Sequence, residues 1–495
     1  MSIDFSLIIP EIFILISSFF ILLFLLFINR KYLSWLGYLC LIIIITALIL
    51  TFIFKNNTGI ISPNLLKVNK ISNFFRYFFL FSGLALVISL IISKIERPEI
   101  YTLILISISG SILLNHSINL LLLIFFLEIV TVSSYFIPIL SSNKSSWLSY
   151  LRYGIFGIIS SFLLIYFISL VFGLTGSLSL DINVISIEKL GILLIIANIV
   201  LMVIMMIRLS LFPFHFWFPS LAKDSGFFTT IFFIILFIPA NLLAFQKIFE
   251  RLYFTPLFSC HITIGLICLT LLFLNIGAIF QKNIWRFLAF SNIAQICFIF
   301  VGILYSQYLK IYSIYLGIDN ITLIYLLIYL ISTSALIIGL ETYRIYNLKT
   351  NWVDFLEDFR GWGKTNPILS LTLFVILISQ IGVPGTAGFL VKYSLIKNII
   401  NPTGHFDFEI SIFLLINYLI AFYYYGRIIL YMWSKPKKHI NQESESKKIK
   451  ILKKDFSYIL VLSFITLCSI IILIIGIYGF TNLISNKPLL SFLRF

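Results

Sequence analysis

The chain has 495 residues, of which 60% are hydrophobic and 11% charged, with a net charge of +16. Soluble domains are roughly 45–50% apolar and about 25% charged, so this composition excludes a soluble globular protein and implies a polytopic membrane protein with almost no soluble part. The cations lie in short loops between apolar runs, which makes membrane topology a better explanation of the charge than nucleic-acid binding.

In chain order, apolar runs long enough to cross a bilayer recur roughly fourteen times, predicting an all-α fold. They fall near Phe5–Phe27, Leu33–Phe54, Phe75–Ser93, Ile100–His116, Ile118–Leu140, Trp147–Gly173, Leu190–Pro219, Phe227–Phe249, Phe258–Phe280, Trp285–Tyr305, Ile321–Arg344, Pro367–Ile400, Ile410–Trp433 and Ser457–Ile484. The first follows Met-Ser-Ile-Asp, with no basic segment before it, and reads as a spanning helix and not a cleaved signal. The seventh and twelfth are too long for one straight helix, and they contain Pro213 and Pro384. Proline removes a backbone donor, so each is predicted as two half-helices with an unwound middle, near Leu209–Pro213 and Gly382–Gly388.

An even number of spans puts both termini on one side. Cations gather after the odd spans, at Asn29-Arg-Lys31, Lys144/Arg152, Lys282/Arg286 and Lys435–Lys454, against Lys55, Lys67 and Lys70 on the other side. By the positive-inside rule the odd loops face the cytoplasm or matrix and both termini face outward. The basic linker Lys435–Lys454 reads as a solvated loop, with contact to anionic lipid or a partner subunit as the alternative.

The candidate functional residues are ionisable groups placed in hydrocarbon, where each costs several kcal/mol unless partnered. Glu128 sits in Phe-Leu-Glu-Ile-Val-Thr in the fifth span, and Arg208 ends a long apolar run five residues before Pro213. Glu128 is expected to pair with Arg208 or with Arg152, either as a structural staple or as a charge that biases a titrating neighbour. Arginine does not release its proton, whereas a buried lysine can exchange one, so Lys392, after the Gly382–Gly388 segment, is the expected proton carrier. Its plainer reading is a lysine snorkelling from a helix end. His215 reads as a relay or as a hydrogen-bonded helix-end histidine. Arg286 reads as a headgroup anchor or part of the same charge row, and Gln295, Ser291 and Asn292 as polar groups inside the tenth span. Glu11, after a proline early in the first span, reads as interfacial.

Gly363-Lys-Thr365 ends like a phosphate-binding loop, but the first glycine such a loop needs falls at Asp358 and no strand precedes it. The five cysteines stand singly, without iron–sulfur or zinc spacing. No redox or hydrolytic site is visible.

Taken together, Phe126-Leu-Glu-Ile-Val-Thr-Val-Ser-Ser-Tyr135, Tyr150-Leu-Arg-Tyr-Gly154, Pro213-Phe-His-Phe-Trp217, Gln281–Ala294, Gly382–Lys392 and Tyr423-Tyr-Tyr-Gly-Arg427 resemble the antiporter-like membrane subunits of respiratory NADH:quinone oxidoreductase, complex I. The resemblance runs from about Pro10 to about Met432. It implies two inverted five-helix repeats and a division into helices 1–3 (1–99), a first repeat (100–250), a second repeat (258–433), the basic loop (434–456) and a last helix (457–495). It implies a proton path along a central charge row, with FMN, iron–sulfur clusters and ubiquinone in other subunits and no cofactor here. Other membrane-arm subunits and lipids, cardiolipin among them, are the implied partners.

On that resemblance Glu128 and Lys392 match the family's fifth-helix glutamate and twelfth-helix lysine. Arg208 and Arg152 stand where lysines are usual, Asn241 where the eighth helix carries a lysine, and Gln295 where many relatives carry histidine. These departures leave one readily exchanging lysine on the row. A free-standing cation/proton antiporter subunit and a structural subunit with reduced pumping are the rival readings. The Phe-, Ile-, Asn- and Lys-rich composition fits an organelle-encoded chain, with the mitochondrial inner membrane preferred over a plastid or bacterial membrane.

Overall fold

The structure is a computed structural model describing residues 5–27, 35–54, 58–62, 64–93, 97–141, 147–180, 191–251, 257–311, 318–347, 355–400, 405–435 and 456–484. The cations at Asn29-Arg-Lys31, Lys55 and Lys144, and the basic linker after Lys435, lie outside these residues. Two compact units are formed, Met1–Leu266 and Ile267–Phe495.

The first unit contains α1 (Ile9–Phe27), α2 (Leu36–Ile53), α3 (Lys70–Ser93), α4 (Glu99–His116), α5 (Leu120–Ser141), α6 (Trp147–Thr175), α7 (Gly191–Arg208), α8 (Trp217–Ser225), α9 (Phe227–Phe232) and α10 (Ile238–Arg251). A π turn, Phe233–Phe237, joins α9 to α10. Pro239 follows within the same helical run and has no N–H to give, which favours a local departure from i→i−4 bonding. Between α2 and α3 lies a small antiparallel hairpin, β1 (Gly59–Ser62) and β2 (Leu66–Val68), with Gly59 opposite Val68. Its Ile61 and Val68 pack with Leu7 and Ile8, covering one end of the unit.

The second unit holds most of α11 (Leu257–Phe280), then α12 (Ile284–Ile311), α13 (Ile318–Asn347), the short α14 (Trp362–Thr365), α15 (Pro367–Ile381), α16 (Ala387–Ile399), α17 (His405–Trp433) and α18 (Phe456–Ile484). Among the described residues twelve helical segments are long and apolar enough to cross a membrane. Two shorter apolar helices, Ile192–Arg208 and Pro367–Ile381, are the first halves of the two spans expected to be broken.

Helices apolar all round belong in the interior, and each unit has one that is wholly enclosed: Phe227–Phe249 in the first and Ile284–Tyr308 in the second. Each carries a polar group at its middle, Asn241 and Gln295 respectively, both buried. By contrast α6 turns Ile155, Ile158, Phe162 and Ile165 outward, as a helix against lipid or another subunit must. Small residues let helices approach where the backbone must come close. A methyl group on Gly388 would lie 1.8 Å from the Ser379 carbonyl oxygen, so only glycine permits α16 to cross α15 there.

Candidate functional site: two broken helices, each with a buried cation

In the first unit α7 stops at Arg208, and the chain resumes as helix only at Trp217. Pro213 cannot donate, Ser210 takes a left-handed φ of 55°, and the Phe212–Pro213 peptide is cis. A helix end in the interior leaves orphan carbonyls that need donors. Here the Trp217 indole donates to the Ile207 carbonyl at 2.8 Å and the Ser210 hydroxyl to the His215 carbonyl at 3.0 Å. The expected interruption at Leu209–Pro213 is therefore present and extends to Phe216.

Arg208 is the last residue of α7, where the helix dipole favours a cation. Its side chain is 2% exposed, and Nη2 donates to Glu128 Oε1 at 2.5 Å. The same nitrogen donates to Ser161 Oγ at 3.1 Å, and Nη1 reaches Asn241 Oδ1 at 3.5 Å. Ser161 donates to both carboxylate oxygens at 3.0 Å, and Thr131 to Oε2 at 2.7 Å. Five side chains from α5, α6, α7 and α10 thus form one polar cluster. Beside it a cavity of about 10 Å³, lined by Thr131, Tyr135, Tyr153, Gly157 and Arg208, has room for about one water. Glu128 remains 31% exposed, between the outward-facing Phe125 and Val132.

Of the two arginines the sequence offers Glu128, the structure selects Arg208. Arg152 is exposed, and it precedes Ser161 on α6 by nine residues, about 14 Å of helix rise. Since Ser161 is the α6 residue at the carboxylate, Arg152 lies beyond reach. His215 is on the turn between α7 and α8, stacked on Phe212 at 5.8 Å between ring centroids, with no hydrogen-bond partner at Nδ1.

In the second unit α15 ends at Ile381. Gly382 (φ 94°) and Gly385 (φ 91°) take left-handed conformations that favour glycine, and α16 begins at Ala387. Continuous helical bonding fails from Val383 to Thr386, inside the interval Gly382–Gly388 expected from Pro384. Lys392, 3% exposed, reaches back across the break to the C-terminal carbonyls of α15, donating to Gln380 O at 2.7 Å and Ile381 O at 3.3 Å. The Tyr418 hydroxyl caps the Gly382 carbonyl at 2.5 Å, and Gln295 Nε2 donates to Gln380 O at 3.3 Å.

The Lys392 ammonium also lies 5.7 Å from the Phe298 ring centre and 5.6 Å from that of Tyr418, within cation–π range. Gln295 accepts from the Tyr325 hydroxyl at 2.7 Å, and Gln380 Nε2 donates to Ser332 at 2.6 Å. Among the described residues no carboxylate pairs with Lys392. Arg286 takes no part in these bonds: it is at the first turn of α12, with its guanidinium 5.9 Å from the Phe290 ring centre.

Reading the sequence does not identify Ser161, Thr131, Trp217, Gln380, Tyr325 or Tyr418 as members of these sites. Thr131, one turn from Glu128, and Gln380, just before the glycine break, carried a faint local signal; the others come from distant helices. Glu11 is fully buried, bonded to Arg76 Nε at 2.6 Å and His116 Nε2 at 3.0 Å, a partnership that the sequence analysis does not anticipate. The charge that draws it inward lies on α3, which no local reading of α1 reveals. Among the described residues no group of three or more His, Cys, Asp or Glu side chains is placed to hold a metal ion.

The scaffold that carries these two broken helices, each with a cation at a helix carboxyl end, is a polytopic helical membrane protein of the antiporter-like fold. The chain belongs to the NADH:quinone oxidoreductase/Mrp antiporter transmembrane family, whose model it matches over residues 117–416. It is 27% identical over 400 residues to "NADH-quinone oxidoreductase subunit N" of Chlorobium chlorochromatii, covering 75% of this chain and 74% of that one. It is 28% identical over 456 residues to "NADH-quinone oxidoreductase subunit N 2" of Thermodesulfovibrio yellowstonii, covering 87% and 91%. In fold it is similar to a chain of respiratory complex I from Thermus thermophilus, at a TM-score of 0.75 and 21% identity over 96% of this chain and 98% of that one. It is also similar to a chain of the Mrp complex from Dietzia sp., at a TM-score of 0.76 and 15% identity over 97% of this chain and 51% of that one.

Proposed function

We propose that the chain is a core membrane-arm subunit of a proton-pumping NADH:quinone oxidoreductase, of the chain 2 type, moving protons while quinone reduction proceeds in other subunits. The observation that carries this reading is Lys392: an ammonium fully enclosed in a membrane helix bundle, held by carbonyls exposed at a helix break and by aromatic faces. A lysine in such a place can give up its proton without stranding a carboxylate, which a fixed staple would not need.

The Glu128–Arg208 cluster supplies fixed charge and hydrogen-bonding groups, not a titrating cation. In this reading the subunit has no cofactor of its own, FMN, iron–sulfur clusters and ubiquinone being held elsewhere in the assembly. Its partners are the neighbouring membrane-arm subunits, which the outward faces of α5 and α6 around the part-exposed Glu128 suit, together with lipids including cardiolipin. Its home is the mitochondrial inner membrane, both termini toward the intermembrane space, as the cation-rich odd loops and the organelle-like composition suggest.

The test is proton translocation per NADH oxidised in reconstituted vesicles, with assembly checked on native gels. Lys392→Met and Lys392→Arg are expected to assemble and to lower the ratio alike. A full ratio in Lys392→Arg overturns the assignment of Lys392 as carrier. A second reading, a subunit with reduced pumping, is favoured by Arg208 and Asn241, which put no releasable proton in the first unit's cluster. It predicts unchanged pumping in both Lys392 variants.

A further inference from the structure

The Glu11 cluster lies apart from both broken helices. It gathers a carboxylate from α1, a guanidinium from α3, an imidazole from the end of α4 and an ammonium from α10, all at the end of the first unit that the β1–β2 hairpin covers. Arg76 is 1% exposed and held by three bonds: Nε donates to Glu11 Oε1, Nη1 to Asn73 at 3.0 Å and Nη2 to the Leu7 carbonyl at 2.8 Å. Lys247 is bound to the carboxyl end of α4, donating to Leu114, Asn115 and Ser117 carbonyls. These two cations are fixed, so what can change in the cluster is the proton shared by Glu11 and His116.

His116 Nε2 stands 3.0 Å from Glu11 Oε1, which as a carboxylate only accepts, and 3.2 Å from Arg76 Nη2, which only donates. One ring nitrogen either donates or accepts. With its proton on, Nε2 satisfies Glu11 and faces the guanidinium as donor against donor. With its proton off, it satisfies Arg76 and confronts the carboxylate unless Glu11 carries the proton. Each arrangement leaves a bond unmet that the other makes.

Glu11 Oε2 and His116 Nδ1 are themselves buried without a hydrogen-bond partner, although buried polar atoms are paired in the large majority of cases. Two unpaired atoms able to take a proton therefore flank a nitrogen whose role is contested. Among the described residues the remaining neighbours do not resolve the conflict. Lys67 and Lys70 are exposed, α2 has no charged residue, and the only one on α5 is Glu128, about 12 Å of helix rise from its first residue.

We propose that Glu11 and His116 form a proton-exchanging site at the hairpin end of the first unit, with Arg76 as the positioning residue that holds both states close. One proton from water binds the pair and later leaves to water, with no other bond changed. Lys247 lies six residues beyond Asn241 on α10, about 9 Å of rise, so one helix carries both this site and the Arg208 cluster. That the exchanged proton serves pumping rests on the function proposed above; the site itself does not.

The experiment is infrared difference spectroscopy of the intact assembly in liposomes between acidic and alkaline buffer. Subtracting a variant's spectrum from that of the wild type is expected to leave a carboxylic-acid C=O component and imidazole ring components for Glu11→Gln and for His116→Gln, and neither for Lys392→Met. Should Glu11→Gln not assemble, Glu11→Asp is expected to shift the C=O band. Spectra that are the same in wild type and in the Glu11 and His116 variants overturn the proposal and make the cluster a static clasp. Because this readout uses no NADH, its failure is distinct from full pumping by the Lys392 variants, which would count against the proposed function alone.

Discussion

The two broken helices solve one problem with opposite chemistry. In the first unit the cation is an arginine at the end of its own half-helix, and the carboxylate of Glu128 lies 2.5 Å from it. In the second a lysine on the following half-helix reaches back across the break and finds only carbonyls and rings. Both cations use the negative end of a helix dipole. The difference lies in what happens when the charge is altered. The first site is a closed ion pair in which either group alone is stranded. Among the described residues the second has no carboxylate partner, so removing its charge strands no counter-ion.

That contrast is open to measurement. The largest effect on stability is expected from Glu128→Leu, which strands Arg208 in a buried setting, at about 3–5 kcal/mol, reduced by the partial exposure of Glu128. The double variant Glu128→Leu/Arg208→Leu is expected to recover much of that loss. Denaturation of the purified assembly measures both, and additive losses would show that the pair is not coupled. Next comes Gly388→Ala, where the added methyl meets the Ser379 carbonyl; about 1–3 kcal/mol is expected, with α15 pushed away from Lys392. If the variant keeps wild-type stability and pumping, the close crossing is not what sets the lysine's geometry.

Lys392→Met is expected to cost less, about 1 kcal/mol, because its loss leaves carbonyls and not a stranded ion. A loss as large as that of Glu128→Leu would mean that the lysine is paired after all, and the contrast would fail. The smallest effect is expected from Ser161→Ala, about 0.5–1 kcal/mol for hydrogen bonds to a carboxylate that keeps Arg208 and Thr131. Its pumping should stay near wild type.

Much of the architecture follows from local sequence. Apolar run lengths are set by bilayer thickness, and a proline or glycine breaks a helix wherever the chain goes afterwards, so the spans and both interruptions are legible from Pro213, Gly382, Pro384 and Gly385 alone. The burial cost of charge likewise singles out Glu128, Arg208 and Lys392 before any helix is packed.

Only the tertiary structure chose the partners. Arg208 rather than Arg152 meets Glu128 because Ser161, about 14 Å along α6 from Arg152, is the residue at that depth. Lys392 folds back onto α15 because the turn at Gly382–Thr386 brings α16 beside it. Glu11 is buried because Arg76 and His116, far away in sequence, converge on it. Sequence fixes which groups are too costly to leave in hydrocarbon, since that cost belongs to the residue. Which group relieves the cost depends on which helices meet and at what depth, and that is decided by packing.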